Sequence, residues 1–209
     1  MTPGPVVSSA VETRWRGARC LDCARHERRW WLGATLAALA LAACAAPQPD
    51  LLDRFEATLA AQDSATAALA AWCEQRRIAS PARISAAVLP GGMHADPADL
   101  PALLQLTAPP GYRHVRLSCG GRVLSEAHNW YVPARLTPAM NAALAASDVP
   151  FGKVAAPLRY TRQRLSSQRG AGPGCPASTI LTHRALLRLP DGAPLALVTE
   201  CYTPANLRR

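Results

Sequence analysis

Two hairpin signals commit this chain to an antiparallel sheet. Gly120-Gly121 lies between two strand-like runs, residues 113–118 and 123–132. A Gly-Gly pair supplies the left-handed backbone that a tight hairpin turn requires. Pro190-Asp191-Gly192 stands in the same way between residues 180–189 and 194–202. Residues 84–89 predict a further strand, closed by Pro90-Gly91-Gly92, and residues 158–167 another. Helical patterns fall between these runs. Asp50 is the predicted N-cap of a helix with Leu51, Leu52, Phe55 and Leu59 at helical spacing. Asp63-Ser64 ends it and caps a second helix, whose apolar stripe is Leu69, Trp72 and Cys73. Thr137-Pro138 caps a short helix running to Ala146, and Pro150-Phe151-Gly152 opens another. The proline-interrupted residues 96–107 allow about one helical turn, and residues 170–176 read as a mobile Gly/Pro loop. The fold class is α+β, an antiparallel β-sheet flanked by helices. There is no internal repeat, no βαβ alternation and no glycine-rich phosphate loop.

Composition narrows the function classes. The 209 residues suit one domain plus a leader, and 49% hydrophobic residues are enough for a core. The net charge is +9, which can serve nucleic acid, membrane headgroups or small anions. The arginines are scattered, and no zinc-finger or helix-turn-helix pattern occurs, so nucleic acid is not the expected partner.

Residues 1–44 read as a signal peptide. Arg25, Arg28 and Arg29 form a positive flank, and residues 30–43 are uncharged and apolar. The stretch ends in Leu41-Ala42-Ala43-Cys44, which resembles the lipobox of bacterial lipoproteins, with Cys44 as the lipidated residue. Arg28-Arg29-Trp30-Trp31-Leu32 is loosely similar to a twin-arginine signal. The expected organisation is signal peptide 1–44, linker 45–49 and one domain over 50–209, facing the periplasm from a membrane anchor. If the leader is instead an upstream extension from a mis-called start codon, the protein is cytoplasmic. Cys20, Cys23 and His26 offer three ligands where zinc takes four, so no metal is expected. Cys73, Cys119, Cys175 and Cys201 remain in the mature chain and permit three pairings. Cys119 and Cys201, on neighbouring strand candidates, are one pair that the pattern allows, and four buried thiols are the other reading.

Two charges sit on apolar strand faces. Side chains alternate along a strand, so Arg113 shares a face with Val115 and Leu117, and Glu200 with Ala196, Val198 and Tyr202. A charge on such a face is costly unless paired or functional. The pair predicts a buried site for an anionic ligand with an acid/base beside it; the plain alternative is a structural cross-strand ion pair. Arg162, expected on a strand with Tyr160 and Leu158, is a candidate for a second carboxylate.

These residues resemble the chorismate pyruvate-lyase family. The likeness lies in Leu51-Leu52-Asp53 through Asp63-Ser64-Ala65-Thr66, in Arg113 with a hairpin ending at Tyr131-Val132-Pro133, in Val149-Pro150-Phe151-Gly152, and in Gly192-Ala193-Pro194-Leu195 through Thr199-Glu200-Cys201-Tyr202-Thr203-Pro204. The resemblance implies a sheet and helices enclosing an internal ligand cavity, a fold shared with effector-binding domains of transcription regulators. It implies elimination of pyruvate from chorismate to give 4-hydroxybenzoate, a step that feeds ubiquinone biosynthesis, with no cofactor. Arg113 and Glu200 take the catalytic positions, while Phe151, Gly152, Arg162 and Asn129 fall at substrate-binding positions. Where the family usually carries an arginine before the Val-Pro, this chain has Asn129, which weakens the grip on a dianion; His128 is the nearest compensating group. The rival reading is a monomeric, non-catalytic lipoprotein that binds a small aromatic or carboxylate ligand in the same cavity.

Overall fold

Gly120 and Gly121 both hold positive φ, at 55° and 77°, so the predicted turn closes a hairpin between β2 (Gly111–Cys119) and β3 (Arg122–Tyr131). The computed structural model describes residues 49–90 and 96–208. The leader, its candidate lipidation site Cys44, and Gly91-Gly92 lie outside the described residues. The second hairpin joins β5 (Leu181–Arg188) to β6 (Pro194–Tyr202), with Gly192 at φ 86°. With β1 (Ile84–Val88) and β4 (Thr161–Arg169) these strands form one six-stranded sheet of order β1-β2-β3-β6-β5-β4. Every pairing is antiparallel. The α+β architecture expected from the sequence is the one observed.

Local capping sets the helices. Asp50 and Asp53 form a reciprocal capping box that starts α1 (Leu51–Ala60), worth about 1 kcal/mol. Ser64 accepts from the Ala67 backbone N–H and starts α2 (Ala65–Gln75). Leu100–Leu104 is the single helical turn α3, Thr137 caps α4 (Pro138–Ala146), and Phe151–Ala155 forms α5. On one sheet face, Phe55, Leu69 and Trp72 pack against Val115, Leu117 and Tyr202. There Phe55 lies 5.0 Å from the Trp72 ring in a tilted contact and 5.2 Å from Tyr202 edge-on, contacts worth about 0.5–1.5 kcal/mol each beyond the area buried. Leu144 and Phe151 extend the core over Leu187 and Val198. On the opposite face α3 sets Leu100 and Leu104 against Trp130, Leu186 and Leu197. All nine residues of β6 are buried, because that strand lies inside the sheet with cover on both faces.

Several expectations need correction. The strand predicted over residues 158–167 begins only at Thr161, because Arg159 takes a left-handed φ of 50° at the end of the preceding helical turn. Arg162 therefore does not share a strand with Tyr160 and Leu158. Cys119 does not meet Cys201: β3 separates β2 from β6. Cys119 is instead bonded to Cys73 of α2, and Cys201 to Cys175. That second bridge tethers the loop 170–176, which the sequence presents as mobile. Thr182 holds it further, donating to the Gly170 carbonyl and accepting from the Gly172 N–H.

Candidate functional site

Arg113 and Glu200 do lie on the same sheet face. Arg113 pairs with Asn129 and, through it, Val198; Val115, two residues on, is in line with Ala127 and Glu200. They do not face each other. The Arg113 guanidinium donates to the carbonyls of Ser147, at 2.9 Å, and Val149, at 3.0 Å. It anchors the segment between α4 and α5 to the sheet. Burial pulls this guanidinium below its ordinary pKa, against the opposing pull of Tyr131 and Asp148. Neither a cross-strand ion pair with Glu200 nor a joint site with it is formed.

The partner of Glu200 is Arg162. Although β4 is an edge strand, Arg162 reaches inward and donates through both terminal nitrogens to the carboxylate, at 2.8 and 2.5 Å. The two side chains are 8% and 5% exposed. The Tyr202 hydroxyl donates to the same carboxylate at 2.8 Å. Burial pushes the Glu200 carboxyl up, but Arg162 and Tyr202 outweigh it, so the group lies below the usual glutamate range and is ionised. Burial likewise opposes the Arg162 charge, and Glu200 more than restores it. Tyr202 is pushed well above its ordinary value, by burial first and by the adjacent carboxylate second. His183, in register with Glu200 on β5, is held neutral with a pKa lowered to about 4, chiefly by burial. Neither of its ring nitrogens has a hydrogen-bond partner among the described residues.

Arg162, Glu200, Asn129, Phe151 and Gly152 line one cavity of about 40 Å³, and Arg113 is not in its lining. The walls also include Asp63, Ser64, Thr66 and Tyr160. Burial raises the Tyr160 hydroxyl, and a hydrogen bond with Ser64 partly offsets this. Gly152 is there because nothing larger fits. A Cβ would stand 2.6 Å from the Ser64 Oγ, 3.0 Å from the Tyr160 hydroxyl and 3.1 Å from the Thr66 Oγ1. Ser64, Thr66 and Gly152 also line an open groove of about 650 Å³ between α2, β1 and residues 148–156, where Arg83 and Lys153 bring positive charge and Asp148 a negative one. Ser64, Thr66 and Gly152 thus form a wall common to the small chamber and the larger groove. His128 cannot stand in for the arginine that Asn129 replaces. It lies on the opposite sheet face, hydrogen-bonded to Tyr112 at 2.8 Å and stacked 4.2 Å from His114. Sequence reasoning missed His183, Lys153 and Arg83. His183 alone left a trace, a titratable residue alternating with Leu181 and Ala185.

Comparison with solved structures finds distant likenesses. PhnF from Mycobacterium smegmatis is similar with a TM-score of 0.49 and 11% identity, over 69% of this chain and 65% of that one. The effector domain of the same protein gives 0.48 and 11%, over 68% and 89%. The ligand-binding domain of a putative GntR-family transcriptional regulator from Bordetella bronchiseptica gives 0.43 and 15%, over 58% and 83%. No protein-family model matches the chain. In sequence, the chain is 39% identical over 176 residues to the uncharacterized protein y4mC of Sinorhizobium fredii (strain NBRC 101917 / NGR234), a match covering 73% of each. An identity of this level, sustained over nearly three quarters of both chains, places this protein in the same family as y4mC.

Proposed function

We propose that this protein is a non-catalytic binding protein with a chorismate-lyase-like fold that takes a small aromatic or carboxylate anion. The observation that carries the reading is the groove beside the Arg162–Glu200 chamber, with Arg83 and Lys153 along it and Ser64, Thr66 and Gly152 as the wall the two share. Its volume of about 650 Å³ accommodates a substituted aromatic ring, as pockets of about 300–1,000 Å³ do. Three features favour binding over pyruvate elimination. Arg113 is committed to two backbone carbonyls. The Glu200 carboxylate already accepts from Arg162 and Tyr202, which leaves it a poor proton carrier. Asn129 brings no charge to the cavity.

The test is thermal unfolding with 4-hydroxybenzoate as the probe, beside an assay for its release from chorismate. A ligand present at about 100 times its Kd stabilises the fold by about 2.7 kcal/mol, so a saturable rise in melting temperature is expected. Lys153→Glu should weaken it. Absence of any shift overturns the binding reading, and release of 4-hydroxybenzoate from chorismate overturns the non-catalytic one.

The same proposal places the protein in the cell envelope, anchored through a lipidated Cys44. The two disulfides support export, since such bonds persist in oxidising compartments. Cys44→Ser should move the protein from the membrane to the soluble fraction; unchanged fractionation refutes the anchor.

A further inference from the structure

The sheet has a second cavity, on the face away from Glu200. It measures about 330 Å³. Its floor is one cross-strand row, in which His128 pairs with Thr199, Thr199 with Arg184, and Arg184 with Ser166. Trp130 borders the row, its indole N–H fixed to the Asp96 carboxylate at 2.7 Å. The wall opposite is Pro173 and Gly174, part of the loop that the Cys175–Cys201 bridge and Thr182 hold in place. The cavity is therefore bounded by covalently and hydrogen-bond-fixed structure.

The lining chemistry selects against ions. Arg184 donates through both terminal nitrogens to Asp99, so the cation and the anion that border the cavity cancel. The planar pair still presents donors and acceptors along its edge. The side chains of Thr199 and Ser166 make no hydrogen bond among the described residues, which leaves two hydroxyls for a ligand. Trp130 and His128 stack on each other with ring centroids 5.9 Å apart and are almost fully buried, so they border the cavity as a fixed apolar edge. A small uncharged ring that carries several hydroxyls meets the donors and acceptors of the Arg184–Asp99 pair and the two hydroxyls without bringing a charge. We propose that this cavity is a second ligand site and that it takes a neutral saccharide of one or two rings. The inference stands independently of the anion site on the other face.

The full chain, titrated with D-glucose, N-acetyl-D-glucosamine and maltose, tests it through tryptophan fluorescence and thermal unfolding. At least one probe should give a saturable response at millimolar concentration. Thr199→Val and Arg184→Met should each weaken it about ten-fold or more, a change of about 1.4 kcal/mol, and leave the response to 4-hydroxybenzoate unaltered. Thr199→Val preserves shape, so it serves even where Arg184→Met unfolds. No response to any of the three sugars overturns the proposal. So does a response that survives Thr199→Val, or a stronger response to glucuronate than to glucose.

Discussion

Replacing Arg162 by methionine keeps an unbranched apolar stem, shorter than that of arginine, and removes the only guanidinium bonded to Glu200 among the described residues. The wild-type side chains are 8% and 5% exposed, so the remaining carboxylate stays buried with the Tyr202 hydroxyl as its one strong donor. Breaking a buried pair from one side costs about 3–5 kcal/mol, against about 0–1 kcal/mol for a surface pair. The pH dependence should also change sign. In the wild type the Glu200 carboxyl lies below its ordinary value of 4.5, so its contribution is present above pH 4.5 and is lost as pH falls through the folded value. Without Arg162 burial dominates and the folded value rises above 4.5. The group then favours the fold below pH 4.5 and opposes it as pH rises. Urea unfolding followed by circular dichroism, with disulfides intact, should show the full loss at pH 7 and a smaller gap near pH 4. Arg162→Met combined with Glu200→Gln should recover part of the stability at pH 7. A loss below about 1 kcal/mol at pH 7, or a gap that does not narrow in acid, refutes the account of this pair.

Other outcomes follow from the same geometry. Gly152→Ala forces a Cβ to within 2.6 Å of the Ser64 Oγ, so it should cost about 1–3 kcal/mol and blunt the 4-hydroxybenzoate shift; an unchanged shift contradicts the partition between chamber and groove. Peptide mapping without reductant should recover Cys73 joined to Cys119 and Cys175 joined to Cys201, and any other pairing contradicts the fold. Loss of the first bridge, spanning 46 residues, should cost about 4 kcal/mol by loop-closure entropy. His183 is buried neutral with a folded pKa of about 4 against 6.5 when free, so it supports the fold above pH 6.5 and withdraws that support as pH falls toward 4. His183→Phe should flatten stability across that interval; an unchanged acid limb means that the ring is hydrated.

The sequence made the hairpins and caps legible because their causes are local. Gly120-Gly121, Asp50 before Leu51, and Thr137 before Pro138 each act within four residues, and each begins or turns its element where expected. Alternation correctly set Arg113 and Glu200 on buried faces, at 4% exposure each. It could not pair them, because pairing depends on strand order and on distant loops. The Arg113 partners are carbonyls 34 and 36 residues away. Arg162 reaches Glu200 across β5, after a late strand start that only the left-handed Arg159 explains. The same non-locality hid the cysteine pairs: β3 comes between β2 and β6, which rules out the bond that adjacency in a meander would suggest.

Strand β6 carries Glu200 toward the chamber on one sheet face and Cys201 toward Cys175 on the other, on consecutive residues. A slip of one position would send every side chain through to the wrong side. The carboxylate would leave its guanidinium and the sulfur its mate in the same stroke. An ionic clasp and a covalent one, fastened back to back, therefore hold this strand in a single alignment, and insertions or deletions should be tolerated in the hairpin loops of this family but not within its last strand.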